Sequence, residues 1–205
     1  MTIAGTFIET STRRRWWLFW LLATIVTAAA GLTAFQGGFS VESIRAVIRL
    51  TAQMSLLLFC IAFSASALAR LWPYAATQFL RTYRRQFGLA FAFSHGVHAI
   101  ALVTFARMSP SQFQQATDVP MFIFGGLAYL FILAMAITSF DQTAAWLGAR
   151  RWRLLHMIGA YDIWITFMAA EGKRAVLSVS YWPYVALLLI VLALRLSATG
   201  MRANK

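Results

Sequence analysis

What this sequence lacks bounds it first. Cysteine occurs once, at Cys60, so disulfides within the chain, thiolate metal cages and iron–sulfur clusters are excluded. The lone thiol reads as a small buried hydrophobe. Charged residues make up only 12% of the 205, and just six are acidic, against 60% hydrophobic residues. That is too little polar surface to cover a water-soluble globule of this size. No G-x-G-x-x-G or G-x-x-x-x-G-K-S/T phosphate loop occurs, so a Rossmann-type flavin or nicotinamide domain is not expected. Repeats and low-complexity tracts are also missing. The four prolines, Pro73, Pro110, Pro120 and Pro183, fall at or near the ends of apolar runs, where they punctuate helices.

What is present is long apolar runs. Stretches able to cross ~30 Å of hydrocarbon at ~1.5 Å per residue lie near 16–35, 50–69, 87–106, 120–139, 154–170 and 179–195. The expected fold is therefore an all-α integral membrane protein of six transmembrane helices, a single domain over 1–205. The intervening segments, about 36–46, 71–85, 107–119, 140–153 and 171–178, are too short to house a soluble catalytic domain. Trp16, Trp17, Trp20, Trp72, Trp146, Trp152 and Trp182 sit near the predicted helix ends, where indoles favour the headgroup layer.

The net charge of +12 does not indicate nucleic-acid binding, because the basic residues cluster between apolar runs instead of forming one stripe. Thirteen fall on one side, among them Arg13 to Arg15, Arg70, Arg81, Arg84, Arg85, Arg150, Arg151, Arg153 and Arg195, and five on the other, Arg45, Arg49, Arg107, Lys173 and Arg174. By the positive-inside rule both termini are cytoplasmic. The first run, which follows Arg13 to Arg15, is about 20 residues long with no sharp cleavage site after it, and reads as a retained span.

Three histidines carry the chemical signal. His95 and His98 fall in the third predicted span, three apart and so on roughly one helix face, and His156 lies at the start of the fifth. Intramembrane imidazoles either hydrogen-bond to a neighbouring helix or, from two facing helices, supply both axial ligands of a haem. His95 and His98 lie ten and thirteen residues past Arg85, whereas His156 is three past Arg153. If both arginines share one depth, the rings differ in height by ~10–15 Å; an earlier start of the third helix, around Arg81, would reduce the gap. Asp162 is the one acid placed inside a span, either a proton relay or a structural carboxyl between helices. Thr51 and Gln53 are further polar candidates.

The third-span histidine follows Leu71-Trp72-Pro73 and the run Arg81-Thr82-Tyr83-Arg84-Arg85-Gln86-Phe87-Gly88-Leu89-Ala90-Phe91. The fifth-span histidine lies in a second block, Thr138-Ser139-Phe140, Leu147-Gly148 and Arg151-Trp152-Arg153-Leu154-Leu155-His156-Met157-Ile158-Gly159-Ala160-Tyr161. Both blocks resemble the ferric-reductase-like transmembrane family, whose bacterial branch includes haem subunits of periplasmic methionine sulfoxide reductase systems. The resemblance implies a haem b electron-transfer subunit in a bacterial inner membrane. Its haem ligands would be His98 and His156, with His95 as an alternative partner for His156. Arg84, Arg85 and Arg153 would either contact the propionates or only fix topology.

The family's second fifth-span histidine falls here on Ala169, so at most one bis-histidine haem is expected. Electrons would come from a separate cytoplasmic flavin reductase or from quinol, and would pass to a periplasmic redox partner. The competing expectation is a haem-free structural or assembly subunit on the same fold.

Overall fold

The computed structural model describes the backbone of residues 3–203. The side chains of residues 1–15 and 201–205 lie outside the described part, and with them Arg13, Arg14, Arg15, Arg202 and Lys205 of the basic clusters. The described chain is helical throughout, without strands. Its helices are α1 (Ile3–Gln36), α2 (Val41–Leu71), α3 (Ala75–Thr82), α4 (Arg84–Met108), α5 (Pro110–Ala116), α6 (Val119–Ile137), α7 (Asp141–Leu147), α8 (Ala149–Leu177) and α9 (Trp182–Ala203).

Five of these are long and apolar enough to cross a membrane over Trp16–Gln36, Val41–Leu71, Arg84–Met108, Val119–Ile137 and Val179–Gly200. The expected fifth span, 154–170, lies within α8. That helix has the length but not the apolarity, because His156, Asp162 and Glu171 dilute it. Segments expected as loops contain the short helices α3, α5 and α7. Hydropathy finds the hydrocarbon-matched part of a helix, whereas the hydrogen-bonded ladder continues beyond it.

Local chemistry sets the boundaries. Between α1 and α2 the chain turns through Gly38 and Phe39, both at positive φ, and Ser40 then caps α2 by accepting from the Ser43 amide. Helix α2 ends at Trp72, whose amide bonds the Leu68 carbonyl, and Pro73 follows. Asp118 caps α6 through the Met121 amide, with Pro120 in the first turn. Gly148, at φ 79°, makes the turn into α8 that a side chain would strain.

Helix α2 is central, packed on α1, α4 and α9, while α8 joins α6 to α9. The core gathers Leu56, Phe59, Phe63, Ala90, Phe91, Ile163, Phe167 and Leu188 from four of these helices. Contacts at the two ends define the alternation. At the arginine-rich end Arg70 of α2 donates to the Ala198 carbonyl of α9, and Arg85 at the start of α4 pairs with Asp141 of α7 at 3.0 Å. At the opposite end Arg45 of α2 lies over Phe105 of α4, and Lys173 of α8 pairs with Asp118 of α6 at 2.7 Å. Nearby charges govern that last pair, so the Lys173 hydrogen bond holds the Asp118 carboxyl below its usual range.

Candidate functional site

The third-span histidines sit where α4 meets α2, α6 and α8. The His98 ring Nδ1 lies 3.0 Å from the Ile48 carbonyl and 3.1 Å from the Thr51 hydroxyl, both on α2. A carbonyl can only accept, so Nδ1 carries the proton and donates it. Nε2 of the neutral ring then keeps its lone pair. Thr51, fully buried, directs its own hydroxyl proton to the Val47 carbonyl at 2.7 Å. One turn away, Ser55 donates to Ser94 at 2.9 Å, so hydroxyl bonds join the apolar contacts along the α2–α4 seam.

His95 stacks on His98 with ring centroids 5.2 Å apart and 27° between planes. Its other ring neighbours are Tyr129 of α6 at 4.9 Å, Phe91 of α4 at 5.4 Å and Phe167 of α8 at 5.9 Å. The Tyr129 hydroxyl donates to the His95 carbonyl, yet the buried His95 Nδ1 has no hydrogen-bond partner. An orphaned ring nitrogen beside an oriented one is costly in an apolar interior unless a ligand completes it.

His156 is elsewhere. Its Nε2 lies 3.1 Å from the Thr138 hydroxyl, which itself donates to the Ala134 carbonyl, and its ring stacks on Trp152 at 4.2 Å. Phe167, level with His95, is eleven residues beyond His156 on α8, about 16 Å at helical rise. Among the described residues His156 shares no hydrogen bond or ring contact with His95 or His98. The structure therefore brings His95 and His98 together and leaves the expected His98–His156 and His95–His156 pairs apart. Its α4 begins at Arg84, and the earlier helix start that would have closed the gap does not occur.

The arginines follow the same division. Arg84 is about 21 Å along α4 from His98 and donates to the Ala62 carbonyl and Ser66 hydroxyl of α2. Arg85 is taken up by Asp141 and by the faces of Trp16 and Phe140, while Arg153 is exposed. None of the three lies at the depth of the histidine pair.

Asp162 is half-buried, with one carboxyl oxygen sequestered and unpartnered. Ala169 is exposed and does not face the histidine pair. A second acid escaped the sequence reading. Glu171 is buried, pairs with Arg174 at 2.9 Å, and continues the inward stripe of Ala160, Ile163 and Phe167. Its spacing of four from Phe167 was the available signal, hidden by placing the end of the span at 170. Arg174 also lies within electrostatic reach of His98.

A helical membrane bundle with oriented imidazoles between its central helices is the class of protein this arrangement defines. The family model described as the ferric reductase like transmembrane component matches residues 49–170, more than half of the chain, and the chain belongs to that family. It is also similar to the protein-methionine-sulfoxide reductase heme-binding subunit MsrQ of Ralstonia nicotianae. The two are 26% identical over 182 residues, covering 86% of this chain and 82% of that protein. No solved structure matches.

Proposed function

We propose that this chain is a haem b electron-transfer subunit, holding one haem on the α4 face of the bundle. The observation that carries the reading is His98, whose Nδ1 proton is committed to the Ile48 carbonyl so that Nε2 is available to iron. A ring N–H donated to a backbone carbonyl fixes the tautomer and aims the other nitrogen, as metal-ligating imidazoles are commonly held. The orphaned Nδ1 of His95 beside it fits the edge of the same site. Haem supplies one-electron chemistry at a potential set by its axial ligand and surroundings. The chain's part is to orient His98, to exclude water with Phe91, Tyr129 and Phe167, and to shorten the path across the bilayer.

The relative's name, a heme-binding subunit, supports the same cofactor. In this reading residues 1–205 act as one six-span domain, with α8 as its fifth span and both termini on the arginine-rich, cytoplasmic side of a bacterial inner membrane. Electrons enter from a separate cytoplasmic flavin reductase or from quinol, and leave to a periplasmic redox partner. Asp162, with its sequestered carboxyl oxygen, is the group we assign to proton exchange. The competing reading, a haem-free structural subunit, draws on the distance between His156 and the α4 pair.

An absorbance spectrum of protein purified from haem-replete cells tests the proposal. A Soret band with a reduced α-band of b type is expected, lost in His98→Ala and retained in His156→Ala. A colourless preparation would establish the haem-free alternative, and loss of haem only in His156→Ala would overturn the assignment to His98.

A further inference from the structure

At the arginine-rich end two cations, Arg84 and Arg195, meet with no acidic side chain paired to either among the described residues. Arg84 reaches from α4 to the Ala62 carbonyl at 3.0 Å and the Ser66 hydroxyl at 3.3 Å. Arg195 reaches from α9 to the same turns of α2, lying 4.3 Å from the Phe63 ring centroid and 5.0 Å from that of Tyr161, with Nη1 3.5 Å from the Phe63 carbonyl. The two guanidinium groups thus donate to the carbonyls of adjacent residues, Ala62 and Phe63, on one turn of α2.

Among the described residues the ion pairs go elsewhere: Asp141 to Arg85, Asp118 to Lys173 and Glu171 to Arg174. Asp162, beside Tyr161 in the chain, makes no ion pair. Two like charges held together in a partly desolvated site cost free energy unless a counter-charge joins them. Carbonyls and aromatic faces orient the guanidinium groups and leave N–H donors over. Both side chains are half-buried.

We propose that Arg84, Arg195 and the Ser66 hydroxyl form a phosphate-binding site between α2, α4 and α9. Paired guanidinium forks beside a hydroxyl suit the three-dimensional spread of phosphate oxygens. Basic pockets between helices near the membrane surface are where anionic headgroups bind. The site lies about 13 Å from the α2 carboxyl end, counted from Ala62 to Leu71 at helical rise, with Arg84 opening α4 and Arg195 in the last turns of α9. A phospholipid phosphate and a free phosphate share this chemistry.

Native mass spectrometry and thermal unfolding of the full chain in detergent separate the sources. The probes are cardiolipin or phosphatidylglycerol, phosphatidylcholine as the neutral control, and inorganic phosphate. Binding of the anionic lipid is expected to weaken roughly ten-fold, as for loss of one charge-assisted hydrogen bond, in Arg84→Gln and in Arg195→Gln, and to be unchanged in the exposed Arg150→Gln. If inorganic phosphate alone stabilises, with the same dependence on Arg84 and Arg195, the site takes free phosphate. Equal affinity in all variants, or no binding of either probe to the unaltered protein, overturns the proposal. Phenylglyoxal modification of the unaltered protein gives a readout independent of variant folding. The probe should protect Arg84 and Arg195 but not Arg150, and uniform modification overturns the proposal as well.

Discussion

Gly159→Ala tests the seam between α6 and α8 directly. A Cβ at Gly159 would lie 2.6 Å from Met135 Sδ, 3.1 Å from Phe131 Cδ1 and 3.3 Å from Phe131 Cβ. Contacts of this kind normally sit at ~3.5–4.0 Å, so the sulfur is about 1 Å too close. The Met135 thioether is the far end of a flexible side chain and can swing away. Phe131 Cβ is tied to the α6 backbone and can yield only if the helices part. Overpacking costs ~1–3 kcal/mol, and alanine's helix propensity over glycine returns ~1 kcal/mol. The net expectation is a destabilisation of about 1 kcal/mol, a fall in Tm of roughly 2–4 °C for a chain of this size.

A leucine at the same position recovers nearly the same helix propensity but adds three more carbons to the clash, and should cost ~3 kcal/mol or more. Thermal unfolding in detergent, followed by tryptophan fluorescence, measures both. In a Met135→Ala background Gly159→Ala should lose the part of its penalty that comes from the sulfur and keep the part set by Phe131, a coupling of ~0.5 kcal/mol or more between the two positions. If Gly159→Ala raises Tm, or the two substitutions add without coupling, the close approach of α6 and α8 is refuted.

Other consequences concern single contacts. The Trp164 indole donates across to the Leu188 carbonyl at 2.9 Å, so Trp164→Phe should cost ~0.5–1.5 kcal/mol, read as a lowered Tm with the far-ultraviolet helical signal unchanged. The Asp118 carboxyl is held below its unfolded value by Lys173, so its stabilisation is complete above the unfolded pKa and is lost as pH falls through the lower folded value. Acid titration of the melting temperature should therefore show a shallower decline in Lys173→Met than in the unaltered chain, and a parallel decline would refute the clasp. Thr51→Val should preserve the Ile48 bond to His98 while removing a hydroxyl 3.1 Å from the ring, so haem occupancy should persist with an altered midpoint potential. Redox titration of the Soret band checks this, and an unchanged potential would remove Thr51 from the site.

The sequence made the helical class and the five strongly apolar spans legible, because a membrane crossing needs little more than length and hydropathy. It located the histidines on α4 and α8 but did not settle their heights. That depended on where α4 starts, and the start at Arg84 follows from the break at Tyr83 after α3, which neither proline nor glycine marks. The acceptor for His98 was also beyond sequence reasoning, since the Ile48 carbonyl is main chain and any residue type would supply it. Arg195, distant in sequence from Arg84, joins it only through the packing of α9 on α2. Glu171 was hidden by one residue in the placement of a helix end.

That main-chain acceptor has a consequence for how the protein can vary. A side-chain carboxylate or hydroxyl orienting an imidazole can be lost by one substitution, and a carboxylate changes its hydrogen bonding with pH. The Ile48 carbonyl does neither. It persists through any replacement at position 48 that keeps α2 helical, and it has no proton to gain or lose in the working range. The orientation of His98 is thus inherited with the helix itself, leaving the surrounding side chains free to diverge while the ring stays aimed.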